Sequence, residues 1–230
     1  LGNQGQMWSS RNGVYRVRDL TTPSALPGEF YSPWTAKLSP DGSRILAFTI
    51  KGASLYDPRD GKGFFTYHDC TVGAFSPDSS KFMLLMENGT AHVYDARDGR
   101  HLAGWKFSDS KALSQVAWFA DSTRVVTAGH ENRTVQVWEA VSGKILFSSA
   151  PLTGDDTVRV AVAPDGKHIA ALVGASELYC WNLEKGESML NLKFDQDKLD
   201  LFNGWVAFVP SDQLATHLLQ NNGSALTHLY

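Results

Sequence analysis

Cysteine is scarce in this sequence. Its two residues, Cys70 and Cys180, are too few for a disulfide framework and too far apart for a CxxC redox or zinc pattern. Both read as buried thiols that behave as small hydrophobes. A charge excess is lacking too: 21 Lys+Arg stand against 24 Asp+Glu, for a net charge of −3. A surface held on phosphates needs a basic footprint, so nucleic acid is not the expected partner. No run approaches the roughly 18 apolar residues that cross a bilayer. The opening Leu1-Gly2-Asn3-Gln4-Gly5-Gln6 has no basic segment leading into an apolar one, and a membrane partner is not expected either.

Catalytic signatures are also missing. The seven histidines, at 68, 92, 101, 130, 168, 217 and 228, show no HExxH or other ligand spacing. Ser54 and Ser176 follow a Gly-Ala pair but lack the second glycine of a nucleophile elbow, and each falls at a hairpin. No phosphate-cradling GxxxxGK[ST] loop and no dinucleotide glycine fingerprint occurs. The sequence therefore predicts no catalytic residue, no metal ligand set and no cofactor. Asn88-Gly89-Thr90, Asn132-Arg133-Thr134 and Asn222-Gly223-Ser224 match the N-glycosylation pattern. Each coincides with a hairpin turn that selects the same residues for backbone reasons, so the matches read as accidental.

What the chain does have is apolar material, at 43% hydrophobic and 11% aromatic residues in 230, enough to bury a sizeable core. It also has a repeat. Lys37-Leu38-Ser39-Pro40-Asp41-Gly42, Ala74-Phe75-Ser76-Pro77-Asp78-Ser79, Ala117-Trp118-Phe119-Ala120-Asp121-Ser122, Ala161-Val162-Ala163-Pro164-Asp165-Gly166 and Ala207-Phe208-Val209-Pro210-Ser211-Asp212 align, with spacings of 37, 43, 44 and 46 on the Asp column. A second marker follows the first four copies: Tyr56-Asp57 to Gly61, Tyr94-Asp95 to Gly99, Trp138-Glu139 to Gly143 and Trp181-Asn182 to Gly186, with glycine spacings of 38, 44 and 43. Two independent markers share one period.

Each unit reads as four strands and their turns. Pro-Asp-Gly signals a type I turn, since proline presets φ and aspartate can bond the backbone ahead. An apolar run such as Phe82-Met83-Leu84-Leu85 follows, then a hairpin signal such as Asn88-Gly89, then an alternating run such as Thr134-Val135-Gln136-Val137-Trp138. The fourth strand varies most, as suits an outer edge. No segment carries a capped 3.6-residue apolar period, so the chain is predicted to be all-β.

Four antiparallel strands per 40 to 45 residues, with these markers, resemble the WD-repeat β-propeller family, and the Ser-Pro-Asp-Gly step resembles Tol-type propellers. No literal Trp-Asp pair occurs, and Gly129-His130 falls between the second and third strands, so packing is expected to carry more of the order than the family's usual hydrogen-bonded network. The resemblance implies a single β-propeller over 1–230, with a partial blade at 1–30 and repeats at about 31–67, 68–107, 108–150, 151–194 and 195–230. Five to six blades are expected, and the ring is expected to be completed by residues outside the chain, a flanking domain or a partner strand. The apolar column Leu38, Phe75, Trp118, Val162, Phe208 is expected between blades, with Tyr56, Tyr94, Trp138 and Trp181, and the mostly small column Lys37, Ala74, Ala117, Ala161, Ala207 toward the centre.

Charge is unevenly placed. The connections from each fourth strand to the next first strand carry Glu29, Asp69, Asp109, Asp155, Asp156, Asp195, Asp197 and Asp200 against Lys111 and Lys198, a net −6. With Trp34, Trp205 and Tyr31 as aromatic anchors, this set is the expected docking face for a protein or basic peptide. The expected function is a non-catalytic protein–protein interaction scaffold. The alternative is a regulatory or substrate-gating propeller of an enzyme whose catalytic domain lies outside this chain.

Overall fold

The computed structural model describes residues 6–11, 14–19, 25–31, 35–49, 52–106, 113–129, 133–153, 158–174, 177–194, 205–208, 214–219 and 225–229. Two compact units emerge, Leu1–Asp109 and Ser110–Tyr230. In the first, β1 (Gln6–Arg11), β2 (Val14–Asp19) and β3 (Ala25–Tyr31) form one sheet; β4 (Thr35–Leu38), β5 (Ile45–Thr49), β6 (Gly52–Tyr56) and β7 (Gly63–Tyr67) form a second. A third comprises β8 (Cys70–Phe75), β9 (Lys81–Met86), β10 (Thr90–Asp95) and β11 (His101–Lys106). The second unit holds β12 (Leu113–Trp118), β13 (Arg124–Gly129), β14 (Val135–Glu139) and β15 (Ile145–Ser148), then β16 (Val158–Val162), β17 (His168–Val173), β18 (Glu177–Asn182) and β19 (Glu187–Lys193). Its last sheet is β20 (Trp205–Phe208), β21 (Leu214–Leu219) and β22 (Ala225–Leu229).

All pairings are antiparallel and follow chain order. No helix occurs among the described residues. These sheets, four of them four-stranded and two three-stranded, are the antiparallel blades of a β-propeller. Among the described residues the first and last sheets hold three strands each. Because each blade is an antiparallel meander, its fourth-to-first connection and its second-to-third hairpin leave from one end of the sheet. Its other two turns leave from the opposite end.

The repeat markers are turn chemistry. Gly42, Ser79, Ser122 and Gly166, each one past the Asp column, adopt φ of 74°, 61°, 56° and 66°, and their amides donate to the carbonyls of Ser39, Ser76, Phe119 and Ala163 at 2.9 to 3.0 Å. The type I turn thus runs straight into a left-handed residue, which suits glycine and strains the two serines. The aspartate holds the turn from within: Oδ1 of Asp41, Asp78, Asp121 and Asp165 accepts the amide two residues ahead at 2.8 to 3.0 Å. The second marker works alike. Gly61, Gly99 and Gly143 are left-handed and donate to the carbonyls of Asp57, Asp95 and Glu139 at 2.9 Å.

The cores lie between blades. Leu46, Phe48 and Leu55 of one blade meet Phe75, Phe82, Leu84 and Tyr94 of the next, and Phe82 and Tyr94 stack at 5.2 Å. In the second unit Val126, Val135 and Val137 meet Val160, Ile169 and Trp181, with Phe147 against Trp181. Phe208 packs on the cluster of Leu172, Leu178 and Leu214. Each such buried aromatic contributes on the order of 2–3 kcal/mol. Hydrogen bonding adds to this packing, since buried Trp138 donates its Nε1–H to Thr127 Oγ1 at 2.9 Å. The fourth strands stay exposed at Phe65, Ile145, Leu146 and Met189, as outer edges do.

Candidate functional site

Of the residues expected to form the docking face, Trp34, Asp109, Asp155, Asp156, Asp195 and Asp197 lie outside the described residues. Tyr31 and Trp205 are placed by their backbones: Tyr31 ends β3 opposite Val14, and Trp205 opens β20 opposite His217. One count needs correction. Glu29 is not in a connection but within β3, opposite Arg16 of β2, so the connections carry −5. Asp69 does lie in a connection, between β7 and β8, with φ of 56°, and its carbonyl accepts the Glu87 amide at 2.8 Å.

The stems of two acidic connections are tied down by one buried group. Glu177 opens β18 and is only 5% exposed. One carboxylate oxygen accepts from Thr153 Oγ1 at 2.9 Å and from the Tyr179 hydroxyl, and the other pairs with Lys193 Nζ at 2.9 Å. Thr153 stands two residues before Asp155, and Lys193 stands two residues before Asp195. Burial alone would push the Glu177 carboxyl up, but the hydrogen bonds from Tyr179, Lys193 and Thr153 outweigh it, so the carboxyl sits below its ordinary value and stays charged. Tyr179 is pushed up, by burial first and then by that carboxylate. The connection from β15 is pinned further by buried Leu152, whose amide donates to the Arg133 carbonyl at 2.8 Å. Lys193 is spent on Glu177 and leaves the acids beyond it less offset.

At the opposite end of the blades, turns of neighbouring sheets line an open cavity of about 450 Å³ formed by Asp41, Arg44, Ser79, Ser80, Asp95 and Arg97 among others. Arg44 crosses the seam. Its Nε donates to the Ala96 carbonyl at 3.1 Å and its Nη2 to the Arg97 carbonyl at 2.8 Å, while Phe64 lies 4.7 Å beneath the guanidinium. Asp57 lies 3.6 Å away and is held down to about 2, chiefly by its hydrogen bond with Arg59. Arg124 repeats the device: Nη2 donates to the Gly166 carbonyl of the next blade at 3.0 Å, Nε donates to Asp121 at 2.7 Å, and the guanidinium covers Phe119 at 4.3 Å. Two acids and two arginines line this cavity and balance, so it is a blade seam with little net field. The repeat alignment contains the signal for it: three residues past the Asp column stand Arg44, Lys81, Arg124 and His168, all basic.

Cys70 and Cys180 are free and buried, and burial pushes both thiols up to about 11, which leaves them poor nucleophiles. Among the described residues no three His, Cys, Asp or Glu converge as a metal cage.

No protein-family model matches the chain. It is similar to the guanine nucleotide-binding protein subunit beta of Arabidopsis thaliana, at 30% identity over 149 residues covering 56% of this chain and 39% of that protein. It is also similar to the WD repeat-containing protein slp1 of Schizosaccharomyces pombe, at 26% identity over 186 residues covering 76% of this chain and 37% of that protein. The chain thus spans under two fifths of the length of these relatives. Among solved structures, the β-propeller domain of Myceliophteria thermophila Cps50 (Swd1) superposes with a TM-score of 0.74 over 97% of this chain and 78% of that one. At 12% identity the likeness concerns the fold.

Proposed function

Because the chain is a WD-repeat-like β-propeller, we propose that it is a non-catalytic interaction scaffold that docks a basic peptide or protein patch on its acidic connections. One observation carries this reading. Four carboxylates, Asp155, Asp156, Asp195 and Asp197, follow within four residues of two stems that share the buried Glu177 anchor. A cluster of like charges repels itself and costs stability wherever it is held together. A fixed stem under such a cluster suits a surface that meets opposite charge, and complementary charge of this kind governs partner choice and encounter rate.

The turn carboxylates at the other end support the same division of labour. Asp41, Asp78, Asp121 and Asp165 are occupied by amides and hydroxyls of their own turns and serve the framework. Tyr31, Trp34 and Trp205 would supply the aromatic anchors. The test replaces Asp155, Asp156, Asp195 and Asp197 by asparagine together, which preserves size while removing four charges. Loss of the captured partner at low salt supports the reading; full retention of it overturns the reading.

A further inference from the structure

The outer hairpin of the blade β8–β11 brings together two histidines, both packed on Tyr94. His92 Nδ1 lies 3.0 Å from His101 Nε2, with ring centroids 5.2 Å apart. Strand pairing brings them together. His92 faces Gly104, and an irregularity after Val93 sets Tyr94 opposite His101, so the His101 side chain reaches back across the hairpin. At the matching position the other full blades pair Ser54 with Thr66, Gln136 with Ser148 and Tyr179 with Asn191. Here the partner is glycine. A Cβ on Gly104 would stand 2.7 Å from His92 Nδ1 and 3.2 Å from His101 Nε2, so the missing side chain is what makes room for both imidazoles.

The protons on this pair can be placed. The Thr90 amide donates to Asn88 Oδ1 at 3.0 Å, which fixes that atom as the oxygen. The Thr90 hydroxyl lies 2.6 Å from the same oxygen, an acceptor only, and so gives its proton there. Thr90 Oγ1 then accepts from His92 Nε2 at 3.0 Å. His92 therefore carries its hydrogen on Nε2 and turns the lone pair of Nδ1 toward His101. Orientation of a ring through a bond from its other nitrogen is the arrangement found behind metal-ligating histidines.

We propose that His92 Nδ1 and His101 Nε2 form an open two-histidine site for a borderline divalent transition-metal ion, Zn²⁺ or one of its neighbours, on the outer rim of this blade. Two zinc–nitrogen bonds of about 2.0–2.1 Å meeting near the tetrahedral angle span about 3.3 Å, a few tenths more than the present separation. His101 is exposed and His92 half-buried, so the ion has access and water completes its shell. Binding moves the His101 hydrogen from Nε2 to Nδ1 through solvent, so the neutral pair takes up the ion with no net proton release. Burial first, and then the neighbouring His101 ring, lower the basicity of His92. With two protein ligands, the site is an exchangeable one.

Zinc titration of the intact 230-residue chain by calorimetry, with histidine-selective NMR, tests this. The expected result is one equivalent bound, with His92 Nδ1 and His101 Nε2 shifting ahead of the other five histidines. His101→Gln and Gly104→Ala are each expected to weaken binding at least tenfold, the second without removing either ligand, and Thr90→Val about tenfold through loss of ring orientation. Absence of one-equivalent binding, shifts at other histidines first, or affinity within twofold of wild type in His101→Gln would overturn the proposal. The NMR arm on the unmodified chain decides the matter even if a variant fails to fold.

Discussion

Glu177→Gln is the substitution that most sharply separates a charged anchor from simple packing. The native carboxylate takes Thr153 and Tyr179 hydroxyls on one oxygen and Lys193 on the other, within a side chain only 7% exposed. Hydrogen bonds to a charged group contribute about 1.5–3 kcal/mol and neutral ones about 0.5–1.5. Turning two hydroxyl bonds from charged to neutral therefore costs roughly 1 kcal/mol each. Loss of the Lys193 pair adds little, about 0–1 kcal/mol, because the Lys193 side chain is 66% exposed. The total is about 2–3 kcal/mol, which at about 2–4 °C per kcal/mol lowers Tm by roughly 4–12 °C. Paired urea and thermal unfolding would read it, with Tyr179→Phe as the companion that removes one donor and costs about half as much. A Glu177→Gln change within 0.5 kcal/mol would refute the claim that ionic hydrogen bonding holds these stems. A normal stability with lost partner capture would instead mean that Glu177 itself contacts the partner.

The seam, the turns and the close packing lead to further expectations. Arg44→Met keeps the stem over Phe64 but deletes both bonds to Ala96 and Arg97, and is expected to cost about 2–4 kcal/mol in urea unfolding, with Arg44→Lys recovering less than half of it. Gly73→Ala drives a Cβ to 2.7 Å from the Met83 carbonyl, a backbone atom that cannot step aside; a loss of about 1–3 kcal/mol is expected from the same assay. Acid should unfold the chain through its turns. Asp57 and Asp78 are held down to about 2 and Asp41, Asp121 and Asp165 are also lowered. Their contribution is thus complete above about pH 4, the ordinary carboxylate range, and drains away as pH falls toward 2. The urea midpoint should drop across that window, and Asp78→Asn should flatten the drop.

Legibility in the sequence followed the range of the interactions. Blade order, strand character and both turn markers could be read because they rest on residues within about six positions: Pro40, Asp41 and Gly42 fix one turn, Asp57 and Gly61 another. The left-handed serines were less legible, since Ser79 and Ser122 take a backbone shape that glycine occupies in their sister turns. Arg44 and Arg124 belong to a basic column of the repeat, but what they bind was hidden for a different reason. Their partners are carbonyls, at Ala96, Arg97 and Gly166, and a carbonyl leaves no mark in an alignment of side chains. Glu177 joins Thr153, 24 residues before it in the preceding connection, to Lys193, 16 residues after it and opposite it in the β18–β19 ladder, a pairing over distances that local sequence does not show. His92 and His101 failed a test for ligand spacing because a strand irregularity and a glycine, not a helical or turn period, juxtapose them. Glu29 was misplaced by reading a strand end as a connection.

The most direct test of the docking claim is the association rate of the captured partner as a function of ionic strength, for the native chain and for the variant carrying asparagine at 155, 156, 195 and 197. Surface charges are screened over about 10 Å at 0.1 M salt, and electrostatic steering appears in the on-rate. The native chain is expected to bind about tenfold faster or more at ~20 mM than at ~500 mM salt, and the variant to lose most of that slope while unfolding at the same temperature. Equal slopes in the two proteins would contradict the assignment of the acidic connections as the docking surface.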